Sequence, residues 1–130
     1  AFGAEPGVRM PGPDGASTLH AEMRIGNSMV MLTDENPQWE MKSPRTLGGS
    51  PSSLHIYVDD VDKLFNRAIK AGCTVKAPLM DAFWGDRYGK LQDPFGHEWG
   101  IATHKEDLTV EEMGKRAAKF FANVPGDCGQ

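Results

Sequence analysis

Cysteine is scarce in this sequence: Cys73 and Cys128 are the only two in 130 residues. Two thiols so far apart make neither a disulfide framework nor the paired spacing of a zinc site. They read as free thiols in a reducing cytoplasm. Basic residues are outnumbered as well, 14 Lys and Arg against 18 Asp and Glu, for a formal net charge of −4. No local basic run offsets that balance. The surface repels phosphate backbones and anionic lipid, so neither nucleic acid nor membrane is expected as a partner. No apolar run approaches the roughly 20 residues that cross a bilayer, and no signal-peptide pattern is present. Common catalytic signatures are missing too. There is no Gly-x-Ser-x-Gly elbow, and Gly48-Gly49-Ser50-Pro51 lacks the Lys and the helix of a phosphate-cradling loop.

Turn chemistry, by contrast, is plentiful, with 15 Gly and 9 Pro in a length suited to one domain with one core. Pro11-Gly12-Pro13-Asp14-Gly15 predicts a turn between a short strand at Val8 to Met10 and a longer one at Thr18 to Ile25. The longer strand alternates: Leu19, Ala21, Met23 and Ile25 face one way, and His20, Glu22 and Arg24 the other. After a Gly26-Asn27 turn, Met29 to Thr33 reads as a mostly buried strand. Ala1 to Ala4 reads as the end of a helix stopped at Gly3. Residues 34–53 form a polar connection, too long for an ordinary loop, and read as a linker between two modules.

The second module opens with Leu54, Ile56 and Val58 on one side of a strand and His55 and Tyr57 on the other. Asp59 or Asp60 can cap the helix that follows. Val61, Leu64, Phe65, Ala68 and Ile69 fall on one stripe of it, and Gly72 ends it. Strands are expected at Thr74 to Ala77, Lys90 to Gln92 and Glu98 to Thr103. The first two flank a Gly-punctuated aromatic segment, Phe83 to Gly89, and a turn at Asp93 to Gly96 precedes the third. Thr109-Val110-Glu111-Glu112 is a capping box for a last helix with Val110, Met113, Ala117, Phe120 and Phe121 on its apolar side. The residues after Asn123 read as a frayed tail.

Four segments in order carry a family resemblance: Leu54-His55-Ile56-Tyr57-Val58-Asp59-Asp60-Val61-Asp62, Ala71-Gly72, Gly85-Asp86-Arg87-Tyr88-Gly89 and Asp93-Pro94-Phe95-Gly96-His97-Glu98-Trp99. In this spacing the chain resembles the vicinal oxygen chelate superfamily, in its glyoxalase/bleomycin-resistance branch, over nearly all of residues 1–104. The resemblance implies an α+β fold of paired βαβββ modules whose curved sheets form a cleft. The first module is expected to be truncated at its N-terminus, and an extra C-terminal helix is added. The expected division is module one at 1–33, linker at 34–53, module two at 54–104, C-terminal helix at 105–123 and tail at 124–130. An open sheet edge is an aggregation liability, so a homodimer is expected.

Metal-dependent members of that superfamily use four ligand positions on the first and last strands of the two modules. The resemblance places three of them on Met31, His55 and Gly100, of which His55 alone offers the expected donor. Glu98 shares a strand face with Gly100, and His20 and Glu22 are candidates to complete a site with His55. Zn, Ni, Mn or Fe would suit such ligands. Two functions follow. The first is a cofactor-free, cytoplasmic small-molecule binder whose cleft is lined by His20, Glu22, Met31, His55, Tyr57, Trp84, Arg87 and Tyr88, with Met29 and Phe83 nearby. Aromatic rings supply flat contact area, Met adapts to irregular ligands, and Arg87 suits an anionic group. The alternative is a metal-dependent lyase, isomerase or dioxygenase with a divalent metal on His55 and Glu98. His97 and His104 are expected at the solvent-exposed surface.

Overall fold

The structure is a computed structural model that describes residues 1–124, so Cys128 and the expected tail from 125 onward lie outside the described residues. Strands β1 (Glu5–Pro11), β2 (Thr18–Ile25) and β3 (Ser28–Leu32) form a three-stranded antiparallel sheet in that order. β4 (Ser53–Tyr57), β5 (Thr74–Asp81), β6 (Asp86–Gln92) and β7 (Glu98–His104) form a second sheet in the order β4-β7-β6-β5. In it β4 runs parallel to β7, and the other pairs are antiparallel. The result is the expected α+β arrangement of two open sheets with a C-terminal helix.

The connection at 34–53 is less bare than its composition suggests. Asn36 caps a single 3-10 turn at Pro37–Trp39, and Ser43 caps the one-turn helix α1 (Pro44–Leu47). In each, a side-chain oxygen accepts from a backbone N–H that has no helical partner, and Pro stands where that N–H is dispensable. Residues 1–4 carry no helix, although Gly3 does take a left-handed φ of 71°.

Helix α2 (Val61–Lys70) covers one face of the second sheet. Asp60 caps it by accepting from the Lys63 N–H, and the Thr103 hydroxyl of β7 accepts from the Val61 N–H at 2.9 Å. Val61, Phe65 and Ala68 of the expected stripe are buried against Cys73, Leu91 and Ile101, with Phe2, Ile56, Val58, Leu64 and Leu79 around them. Ile69, at the end of the stripe, stays outside. Burying a side chain such as Val61 or Phe65 contributes roughly 1.5–3 kcal/mol. Gly89 makes the seat for Phe65: a Cβ there would stand 2.7 Å from the Phe65 ring.

The three-stranded sheet differs from its expected burial. Ala21 is the one buried residue of β1–β3, and β3 is uncovered, with Met31 67% exposed and Met29 52% exposed. The apolar run there encodes strand propensity, but no helix among the described residues lies against it, so its burial does not follow.

Helix α3 (Val110–Asn123) begins at the expected capping box, with Thr109 and Glu112 satisfying each other's backbone N–H groups. None of its residues is buried. No helix among the described residues is long and apolar enough to cross a membrane.

Candidate functional site

Alternation across the second sheet sorts its side chains into two sets. Leu54, Ile56, Leu91 and Ile101 point toward α2. The register pairs His55 with Gly100 and Gly100 with Lys90, and likewise Tyr57 with Ala102 and Ala102 with Tyr88. Directly opposed residues share a face, so His55, Tyr57, Tyr88, Lys90, Glu98 and Gly100 lie together on the face away from the helix.

Aromatic rings run continuously along this face. His55 lies 5.0 Å from Tyr57 and 5.8 Å from Tyr88, nearly parallel to the latter at 8°. Tyr88 meets Trp84 at 5.4 Å, and Trp84 meets Phe83 edge-on at 5.1 Å. Phe83 then touches Phe120 and Phe121 of α3 at 5.7 and 5.9 Å. Gly100 creates the space under two of the rings. A Cβ at that position would fall 2.7 Å from His55 Nδ1 and 3.2 Å from Tyr88 Cε2.

Asp86 fixes the polar edges of these rings. It is 3% exposed, and its carboxylate accepts from the Tyr57 hydroxyl at 2.7 Å and the Trp84 indole N–H at 2.9 Å, with His104 Nδ1 3.0 Å away. Burial by itself raises the Asp86 pKa. The donors on Tyr57, His104 and Trp84 outweigh it and hold the carboxyl below its ordinary value. The same bond raises the Tyr57 phenol above its ordinary value, with burial adding to it. A buried carboxylate is stable only when it is paired in this way. Gly85 brings the chain end to this point. Its carbonyl accepts from both the Lys105 and Glu106 N–H groups at 3.0 Å.

The residues singled out in the sequence therefore divide. His55, Tyr57, Trp84 and Tyr88 come together. His20 and Glu22 pair with each other at 3.2 Å on the three-stranded sheet, where Glu22 lies opposite Met31. Arg87 does not join the aromatic group: it lies one residue out of phase with Asp86 and Tyr88, on the α2 side. There it donates to both Asp62 oxygens at 2.7 and 2.8 Å and to Asp81 at 3.3 Å. Glu98 shares the face of His55 but is ion-paired with Lys90, which lowers its pKa and raises that of Lys90. His97 is exposed as expected, and His104, though about half exposed, is engaged by two carboxylates. The donor set does not fit a metal centre. Met31 offers a thioether and Gly100 nothing, Glu98 is already paired, and among the described residues no three His, Cys, Asp or Glu side chains stand close enough to hold an ion.

Asp86 is the residue that sequence reasoning missed. With the strand expected to begin only at Lys90, alternation did not reach Asp86. Once β6 starts at Asp86, the same period puts its carboxylate on the Tyr88 face.

The family model described as "Glyoxalase/Bleomycin resistance protein/Dioxygenase superfamily" matches residues 1–101. The chain belongs to this superfamily. A Mycobacterium bovis protein described as uncharacterised is 44% identical over 116 residues, covering 87% of this chain and 76% of its own. Among solved structures, TioX from Micromonospora sp. ML1 superposes with a TM-score of 0.59 at 28% identity, over 79% of this chain and 80% of TioX. TnmS3, an antibiotic binding protein from Streptomyces sp. CB03234, gives 0.57 at 23% identity over 79% and 77%. At that identity TnmS3 speaks for the fold alone. The superfamily match ends at residue 101, before α3 begins at Val110.

Proposed function

We propose that this chain is a small-molecule-binding protein that holds an organic ligand against the aromatic face of its second sheet, working as a homodimer in the cytoplasm. The observation that carries this reading is the run of His55, Tyr57, Tyr88 and Trp84, whose polar edges are tied to Asp86 or stacked over Gly100. Rings fixed at their edges offer their flat faces at little entropic cost. Tyr57 is 60% exposed, so part of that surface is open to a ligand. The bleomycin-resistance members of the superfamily, with the stacking surface offered here, favour an aromatic antibiotic as the first class to test. His20, Glu22 and Met31, on the other sheet, would contribute from a second wall.

A second copy is favoured by the uncovered apolar side chains of β1–β3, among them Val8, Met10, Met29 and Met31, each about half exposed or more. Cys73 is a buried free thiol whose pKa is raised first by burial, in keeping with a reducing compartment.

The test is thermal melting of chelator-stripped protein against two panels: bleomycin and other aromatic antibiotics, and Zn, Ni, Mn and Fe(II) salts. A compound that binds only the folded state at about 100 times its Kd stabilises it by about 2.7 kcal/mol. The expected result is a shift with an aromatic compound that is lost in Trp84→Ala while the apo melting point of that variant stays in the folded range. A shift with a metal alone, lost in His55→Ala, would overturn the reading in favour of the metal-dependent lyase, isomerase or dioxygenase.

A further inference from the structure

We propose that His104 forms a proton-dependent clasp that ties the start of α3, through Asp107, to the Asp86 carboxylate that holds the ring wall. His104 stands between two carboxylates, with Nδ1 3.0 Å from Asp86 Oδ1 and Nε2 2.8 Å from Asp107 Oδ1. A neutral imidazole has one N–H and one bare lone pair. Between two carboxylate oxygens it would set a lone pair against an anion on one side, and only the imidazolium donates to both.

Each end of the clasp holds something different. Asp86 holds the Tyr57 hydroxyl and the Trp84 indole, so it is a positioning residue for two rings of the proposed site. Asp107 lies in the turn that leads into α3. That helix is otherwise held through Arg116 to Glu106 at 2.8 Å, through Phe120 and Phe121 to Phe83, and through the Lys105 and Glu106 N–H groups that precede it, which donate to the Gly85 carbonyl.

The groups around the clasp leave His104 with little competition. From β6 it faces Asp86, and from the turn before α3 it faces Asp107; these two are the charged groups that act on the ring, and together they raise its pKa. Tyr57 of β4 reaches it only through Asp86. Of its chain neighbours, Glu106 is taken by Arg116 of α3, and Lys105 bears on Asp62. Arg87 is engaged on the other face with Asp62 and Asp81.

When the proton leaves, one of the two bonds must go. Asp86 is buried, and an unpaired carboxylate there is costly, whereas Asp107 is fully exposed and water replaces its partner. The neutral ring therefore keeps its proton on Nδ1 toward Asp86 and releases Asp107, and α3 loosens. That ligand affinity follows the same proton rests on the binding reading above; the clasp does not, and its test uses the ligand-free chain.

The experiment is nitrogen-15 NMR of the His104 ring in the full chain from about pH 5 to about pH 10. The Trp84 indole N–H and the amide exchange of 110–123 are followed in the same samples. The expected result is an imidazolium with both nitrogens protonated below the midpoint, and a midpoint above that of free imidazole. Above the midpoint the Nδ1–H form should appear, while Trp84 shifts and α3 exchange accelerates at the same midpoint. Asp107→Asn, at a fully exposed position, should lower the midpoint. His104→Gln should abolish the Trp84 and α3 transitions. An ordinary midpoint, an Nε2–H neutral form, or Trp84 and α3 signals that ignore His104 or still titrate in His104→Gln would each overturn the clasp, whatever the fate of the ligand screen.

Discussion

Alanine at position 85 should be costly, and the structure shows why in two parts. Gly85 has a φ of 99°, and a Cβ there would stand 2.5 Å from the Glu106 carbonyl oxygen. The backbone conformation alone disfavours an L side chain by about 1–2 kcal/mol. The clash is with main chain, which cannot swing aside as a side chain would, so 105–106 must retreat. That surrenders the two N–H bonds to the Gly85 carbonyl, worth about 1 kcal/mol each. Gly85→Ala should therefore destabilise the domain by roughly 3 kcal/mol, a large share of the 5–15 kcal/mol typical of a domain. The assay is urea unfolding followed by tryptophan fluorescence. With a slope of about 1–3 kcal/mol per molar, the midpoint should fall by about 1 M or more. The control is the same substitution in α3 at Gly114, where a Cβ meets nothing within 4 Å. There alanine should stabilise the helix by about 0.5–1 kcal/mol. An unchanged midpoint in Gly85→Ala, together with unchanged amide exchange in α3, would refute the reasoning.

Gly100→Ala poses a different conflict, because the new Cβ meets side chains that can move, His55 and Tyr88. Global stability should change by less than about 1.5 kcal/mol, but the His55–Tyr88 stack should break, seen as loss of ring-current shifts on the His55 protons. Stability should also respond to pH with two signs. Asp86 lies below its ordinary value of 3.8, so its contribution is full above pH 3.8 and is lost as acid carries the pH through its folded pKa. His104, raised by Asp86 and then Asp107 above 6.5, contributes fully below pH 6.5, and that contribution is lost as the pH rises through its folded pKa. Melting of His104→Gln across pH should lack the alkaline decline attributed to His104 and keep the acid one.

Much of the second sheet and its helix is legible in the sequence, because the signals are local. Asp60 and Thr109 accept from N–H groups three residues on, Gly72 follows the helix it ends with a φ of 102°, and the stripe from Val61 to Ala68 follows from helical period alone. Strand alternation likewise separates His55 and Tyr57 from Leu54 and Ile56 before any partner strand is known. The extents of β5 and β6 were not legible, since Pro78 and the Phe83–Gly89 segment blur the strand pattern, and with β6 misplaced the side of Arg87 and Asp86 was hidden.

The sequence by itself thus determined helices α2 and α3, the presence of most strands, and which side chains of one strand share a face. Those properties depend on steric preferences and on hydrogen bonds within a few residues. Only the tertiary structure decided that Asp86 gathers Tyr57, Trp84 and His104 from separate stretches of chain, and that Arg87 spends its guanidinium on Asp62 of α2. It also decided that Gly100 leaves room for two stacked rings and that β3 lies open. Each of these turns on strand register and on what packs against a face. Tyr57, His104 and Asp62 reach their partners from about 18 to 29 residues away, and no local pattern carries that distance.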